Sequence, residues 1–358
     1  MRQPFSRTRF HKQCMERRLL IVGIILILVA FTLYRIAIEL DQEMSSPILE
    51  HRRTRIIFSN ITYIVKARYK LVNNYKIPMN DYVYITLPRN TTYQHARLIN
   101  ITPSYVKIQK DEDGNIFAVL FLRTKPNEAV WIEAVFKITV HGYKVIFNVS
   151  ESIWPEYEIV RRLTKRTSYW NTENPDLINL ARRVSRGDNP LKIAISIAKW
   201  VKRHTRYSLQ LHRLGAERAL VRGILGDYII QGDCTEVADV YVTLARIKGI
   251  PARTVFGLLL SRHKTKMWFN SSTAWVEGER LLEHWGGHMW SQVYLPPWGW
   301  IDVELLEARE AKIGDYSNFH VVFGVEETKY YGTTLSNFCS PGYLYLEYVE
   351  YDFEPVGN

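Results

Sequence analysis

Three residues far apart in the chain carry the side chains of a nucleophile, a base and an orienting acid: Cys234, His288 and Asp302. Cys234 follows Gln231-Gly232-Asp233 and precedes Thr235-Glu236, so a glycine that permits close approach stands just before residues suited to open a helix. A thiol at a helix start feels the dipole and the unpaired backbone N–H groups, both of which favour thiolate. Taken alone, such a cysteine reads more readily as a buried structural thiol than as a nucleophile. The odds change with His288-Met289-Trp290-Ser291-Gln292-Val293-Tyr294, followed by Pro296-Pro297-Trp298-Gly299-Trp300-Ile301-Asp302. Strand alternation puts His288, Trp290 and Gln292 on one face, and a turn through Pro297 to Gly299 returns an antiparallel strand carrying Asp302. Neighbouring strands lie about 4.8 Å apart, so Asp302 is expected to reach the imidazole and fix its tautomer, with the other ring nitrogen facing a nucleophile. That is the order of groups covalent catalysis requires.

Other candidates are weaker. Glu283-His284-Trp285-Gly286-Gly287-His288 spaces two histidines four apart, but the paired glycines would break a metal-binding helix and no Glu lies between them. No metal site is expected. Trp268, Trp275, Trp285, Trp290, Trp298 and Trp300 cluster around the same segment as cleft walls or ordinary sheet packing. Among these neighbours, Trp285, Trp290 and Gln292 are the substrate-binding candidates. Glu236 and Asp239 read as stabilisers of a helix N-terminus, and Arg253 as a structural ion-pair partner. Cys339 has no evident partner, and Cys14 lies where acylation occurs in some proteins. With neither a phosphate-cradling glycine loop nor a Gly-x-Ser-x-Gly elbow in the sequence, no cofactor is expected.

The elements that must position these groups are legible in outline. Ile61 to Tyr69, Tyr82 to Leu87, Ile116 to Leu122 and Val130 to Val140 are β-branched and aromatic, and Asp113-Gly114-Asn115 supplies a hairpin turn. Their spacing predicts an antiparallel sandwich of immunoglobulin-like type. Beyond Pro155, Asn174-Pro175 and Asp188-Asn189-Pro190 mark helix starts, and Ile193, Ile197, Trp200 and Val201 recur at helical spacing. A helix from Cys234 buries Val237, Val240, Tyr241 and Leu244 and stops at Lys248-Gly249-Ile250-Pro251. Thr254 to Leu260, Met289 to Tyr294 and Trp300 to Val303 read as strands, which makes this portion α+β. Tyr343 to Tyr351 reads as a further strand.

The 358 residues suit about two domains. Hydrophobic content of 47% and charge of 23% exclude a collagen-like or wholly disordered chain, and three cysteines exclude a disulfide scaffold. Leu19 to Tyr34 is unbroken by charge, and with Ile36 to Ile38 it is long enough to cross a roughly 30 Å hydrocarbon core. Six basic residues with one acid precede it, while Glu39, Asp41 and Glu43 follow, so the N-terminus is expected in the cytoplasm and the remainder outside. Five Asn-x-Ser/Thr sequons, at Asn60, Asn90, Asn100, Asn148 and Asn270, all fall on that outer side. The basic tail accounts for part of the +11 net charge, so nucleic acid is not an expected partner. The expected organisation is a cytoplasmic tail (1–18), a transmembrane anchor (19–40), a linker (41–55), a β-sandwich (56–152), an α+β domain (153–330) and a C-terminal extension (331–358).

Gly232 to Cys234, Arg246 to Arg253 (Arg-x-x-Gly-Ile-Pro-Ala-Arg), His288 to Trp290 and Trp298 to Asp302 stand in an order that resembles the transglutaminase-like superfamily, especially its membrane-anchored microbial members. The resemblance covers roughly residues 175 to 310. It implies a papain-like core, a helical lobe plus an antiparallel sheet, with Cys234 as nucleophile, His288 as base and Asp302 as orienter. The sequence departs from the family pattern at Gln292 and at Asp302-Val303-Glu304. The expected activity is attack on an amide or ester carbonyl of a protein or peptide at the cell surface, with hydrolysis favoured over amine transfer. The alternative is a non-catalytic envelope scaffold or adhesion protein that keeps the fold.

Overall fold

The computed structural model describes residues 55–223, 226–260, 265–328 and 334–356. The expected basic tail, transmembrane segment and Cys14 lie outside the described residues, within which no helix is long and apolar enough to cross a membrane. These described residues form one compact unit.

Six strands open the described chain: β1 (Arg55–Val72), β2 (Met79–Leu87), β3 (Gln94–Thr102), β4 (Lys107–Lys110), β5 (Ile116–Thr124) and β6 (Ala129–Val145). A helical lobe follows, with α1 (Tyr157–Leu163), α2 (Pro175–Val184), α3 (Pro190–His204), β7 (Thr205–Tyr207), α4 (Gly215–Ala219), β8 (Leu220–Arg222), β9 (Tyr228–Gly232) and α5 (Cys234–Ile247). Next come β10 (Ala252–Leu259), β11 (Lys266–Asn270), α6 (Ala274–Glu277), β12 (Gly287–Leu295), β13 (Gly299–Glu304), β14 (Lys312–Ile313), β15 (Asp315–Tyr316) and β16 (His320–Glu326). The chain then adds α7 (Thr334–Phe338), β17 (Cys339–Ser340) and β18 (Tyr345–Val356).

The long alternating strand β1 buries Val65, Ala67, Tyr69 and Leu71 and pairs antiparallel with β6 on one side and β18 on the other. Its sheet runs β11-β18-β1-β6-β15, with β3 also on β6, and a second sheet runs β17-β2-β5-β4. Segments 56–152, 153–330 and 331–358 therefore exchange strands instead of closing separate sheets: β15 pairs with β6, and β17 with β2. Val83 and Ile85 of the second sheet belong to the same hydrophobic core as Val65 and Leu71.

The sheet that carries the site runs β14-β13-β12-β10-β16 and is antiparallel throughout. Helix α5 packs against β10 and β12 on one side and against α2, α3 and α4 on the other. Residues Thr235 to Arg246 are all buried, an all-round burial that marks a central helix. Asn174 and Asn189 cap α2 and α3 through their side-chain oxygens, each with proline at the next position, as the sequence predicts.

Candidate active site

The start of α5 is fastened by its own first turn. Asp233 is the N-cap and accepts from Thr235 N at 2.9 Å, while Glu236 reaches back to accept from Asp233 N at 3.1 Å. This reciprocal capping box satisfies two of the helix's orphan donors. Gly232 is required here: a Cβ would stand 2.3 Å from Cβ of Glu236. The preceding loop is tied to the same residues, with Gln210 N donating to Asp233 at 3.1 Å and Leu214 N to Glu236 at 2.9 Å. Asp239 does not serve the N-terminus. It is fully buried, receives Trp170 Nε1 at 2.7 Å, and shares Arg213 with the buried carboxylate of Glu326.

Cys234, half-buried, occupies the first helical position, where its thiol interacts with His288. Burial pushes the thiol pKa up, Asp233 pushes it the same way, and His288 and the Met289 N–H pull it down. The helix starts at Cys234, as the sequence predicts.

The carboxylate beside His288 is a different residue from the one expected. His288 Nε2 lies 2.7 Å from Glu304 Oε2, whereas Asp302 accepts from Trp290 Nε1 at 2.8 Å, from Gln292 Nε2 at 2.8 Å and from the Tyr143 hydroxyl. The reason is register. The β12–β13 hairpin pairs Gln292 with Asp302 and Leu295 with Gly299. Asp302 thus sits opposite a residue four positions from His288, beyond side-chain reach along a strand rising about 3.4 Å per residue. Glu304 is on the same face two residues nearer. The missed signal was the turn: closing the hairpin at Leu295 and Gly299 and counting outward selects Glu304 over Asp302.

Glu304 is itself held on all sides. Its Oε1 accepts from Leu306 N at 2.6 Å and Glu307 N at 3.1 Å, and its Oε2 also lies 3.3 Å from His320 Nε2. Burial opposes the charge of Glu304, yet the two histidines hold its carboxyl well below the usual carboxylate range. Burial likewise opposes a charged His288, but Glu304 and Cys234 outweigh it and raise its pKa to about 10. An ionised carboxylate only accepts, so Nε2 of His288 carries the hydrogen and Nδ1 is left for the thiol.

The other sequence candidates separate cleanly. Trp285 stands in the wall of a cleft of about 90 Å³ beside Cys234, with Leu209, Leu211, Phe269 and Leu281 supplying apolar surface. Trp290 lines a smaller cavity behind Cys234 and is anchored to Asp302. Gln292 lies in neither wall: its amide bridges Asp302 and Arg253, so its expected contact with substrate is replaced by a structural one. Arg253 pairs with Glu327 and stacks 3.8 Å over Trp300, the structural task expected of it. Among the remaining tryptophans, Trp268 stacks on His284 and Trp275 is 74% exposed, so neither forms the cleft wall. His284 is bound to Glu277 and the Trp268 carbonyl, away from His288's partners. Cys339 is buried and free.

A thiol at the N-terminus of a central helix, an imidazole on the neighbouring strand and a carboxylate behind it define an α+β protein with the layout of a cysteine-type enzyme. Residues 178–305 match the family model described as Transglutaminase-like superfamily, and this stretch of the chain is a transglutaminase-like domain. The chain is 23% identical over 248 residues to an uncharacterized protein of Haemophilus influenzae, an alignment that spans 65% of each. Its fold is similar to that of a protein from Cytophaga hutchinsonii described as "a Putative Cysteine Protease", with a TM-score of 0.57, 13% identity, and coverage of 85% of this chain and 93% of the other.

Proposed function

We propose that the protein is a thiol hydrolase in which Cys234 attacks an amide or ester carbonyl, His288 moves the proton and Glu304 orients and charges the imidazole. The observation that carries this reading is the continuous contact of thiol, imidazole and carboxylate. Cys234 alone is a poor nucleophile, because burial and Asp233 raise its pKa. It becomes reactive as its proton passes to Nδ1 of His288, whose basicity Glu304 increases through the Nε2–H bond. Attack forms the S–C bond and places negative charge on the carbonyl oxygen. The Cys234 N–H at the start of α5 is the donor for that oxyanion. Collapse breaks the C–N or C–O bond, and the leaving group departs with the proton from His288. Water then attacks the thioester, His288 accepts its proton, and the thiolate is released.

The apolar wall formed by Leu209, Leu211, Phe269 and Trp285 supports a protein or peptide substrate with a hydrophobic side chain beside the scissile bond. A cleft open to solvent favours water over an amine as the second acceptor. The charge-free run at 19–34 and the basic residues before it support an anchored enzyme acting on the outer side of a membrane, with the β-rich strands, read as immunoglobulin-like, as spacer. The experiment is to incubate the purified protein with an electrophilic peptide library and locate the adduct by mass spectrometry. An adduct on Cys234 that is lost in His288→Ala supports the reading. Equal, slow modification of Cys234 in both proteins overturns it in favour of a non-catalytic scaffold.

A further inference from the structure

The carboxylate that orients His288 has a second imidazole on it. Oε2 of Glu304 lies 2.7 Å from Nε2 of His288 and 3.3 Å from Nε2 of His320, and all three side chains are buried. The catalytic reading uses His288 and Glu304 and assigns nothing to His320.

We infer that His288, Glu304 and His320 form a binding site for a zinc-like divalent cation. The three ligand atoms lie within 4.8 Å of one another. With bonds of about 2.0–2.1 Å, ligand atoms in a tetrahedral zinc shell are roughly 3.3 Å apart. The Glu304–His320 separation, 3.3 Å, already has that value, and the Glu304–His288 separation, 2.7 Å, needs to widen by about 0.6 Å. Two imidazoles and one carboxylate suit zinc, copper or nickel and not magnesium or calcium, which take oxygen ligands.

The surroundings are those that metal ligands require. Nδ1 of His320 lies 2.8 Å from Ser317 Oγ, the Tyr316 hydroxyl holds the His320 carbonyl at 2.7 Å, and Oε1 of Glu304 is fixed by two backbone N–H groups. With Nε2 of His288 on Glu304, Nδ1 is the ring nitrogen left for the Cys234 thiol. When the cation takes both Nε2 atoms, each neutral imidazole carries its hydrogen on Nδ1 instead, and each Nδ1 already has an acceptor, Ser317 Oγ or Cys234 Sγ. A charged His288 gives up one proton to solvent as the cation takes its Nε2. The sulfur lies across the imidazole ring from the cation and is not a ligand. Glu304 also lines the small cavity next to Cys234, which provides the side of entry.

The consequence for turnover rests on the catalytic reading: with Nδ1 hydrogen-bearing, His288 cannot take the thiol proton, and the bound cation silences the enzyme. Binding itself does not depend on that reading. The test is titration of the full-length, metal-free protein with Zn2+ against a chromophoric indicator, repeated with Co2+ for the absorption spectrum. One Zn2+ per chain is expected, retained in Cys234→Ser and weakened at least tenfold in His320→Gln. The Co2+ spectrum should show no thiolate-to-metal charge transfer. Should His320→Gln fail to fold, Ser317→Ala is expected to weaken binding by about tenfold through loss of the Nδ1 acceptor. Loss of binding in Cys234→Ser, a thiolate charge-transfer band, no binding by the wild type, or undiminished binding in the folded His320 and Ser317 variants overturns the inference. Failure of the catalytic reading would show separately, as Cys234 modification in the presence of chelator that ignores His288→Ala while these isotherms stand.

Discussion

His288 Nε2 donates to Glu304 Oε2 across 2.7 Å, inside a shell from which water is largely excluded. An ion pair in such surroundings is sustained by its hydrogen bonds, and Glu304 has them: two backbone N–H groups on one oxygen and two imidazoles at the other. The charge on the carboxylate is thereby fixed before any substrate arrives, which is the preorganisation a proton-transferring histidine needs.

Asp302 acts as an anchor. Tyr143 of β6, Trp290 and Gln292 of β12 all donate to it, so one carboxylate ties the long β1–β6 sheet to the hairpin that carries His288. Asp302→Ala leaves three donors without an acceptor and is expected to lower the unfolding free energy by roughly 2–4 kcal/mol. Urea denaturation measures this. A loss under about 0.5 kcal/mol, the level of an ordinary surface substitution, would show that the three donors find other partners.

The buried triad of Arg213, Asp239 and Glu326 holds the loop that borders the cleft. Burial disfavours the charge on Arg213, but the two carboxylates overcome it, and its guanidinium meets Asp239 at 2.6 and 2.9 Å and Glu326 at 2.8 Å. Arg213→Met removes the cation hydrogen-bonded to both carboxylates, at a cost of about 3–5 kcal/mol. The same denaturation series reads it. Arg213→Met in an Asp239→Asn background should recover part of the loss; no recovery would mean that the arginine matters for packing alone.

Helix caps, turns and the position of the thiol were legible because they are local. Gly232-Asp233-Cys234-Thr235-Glu236 contains the whole capping box, Asn174 and Asn189 stand beside their prolines, and Gly249 ends α5 in the left-handed region that favours glycine. The identity of the acid was not, because Asp302 and Glu304 share one face of β13 and only the hairpin register separates them. The pairing of β18 with β1 was equally hidden: partners such as Tyr69 and Val349 are brought together by burial on a common face, which no short-range pattern records. His320 carried no signal either, since it reaches Glu304 from a strand on the far side of β10.

Glu236 makes stability depend on pH in a stated direction. Burial, with Asp233 and Asp239 close by, raises its pKa to about 8, above the ordinary 4.5. The folded protein then holds a proton that the unfolded chain has lost, so this group's contribution is fully present below about pH 4.5 and disappears as pH rises through about 8. Comparison of Glu236→Gln with wild type should show a difference in thermal midpoint that shifts in favour of the variant between pH 5 and 8. A pH-independent difference would mean that Glu236 titrates in the folded state as it does in the unfolded chain.

The most direct test of the catalytic arrangement compares Glu304→Gln with Asp302→Asn by the rate of Cys234 alkylation, at one neutral pH and with chelator present. Glu304→Gln should slow modification by roughly 100-fold, the scale of a lost general-base contribution, while folded Asp302→Asn should stay near the wild-type rate. A reversed order, with Asp302→Asn slow and Glu304→Gln fast, would contradict the assignment of Glu304 as the residue that charges His288.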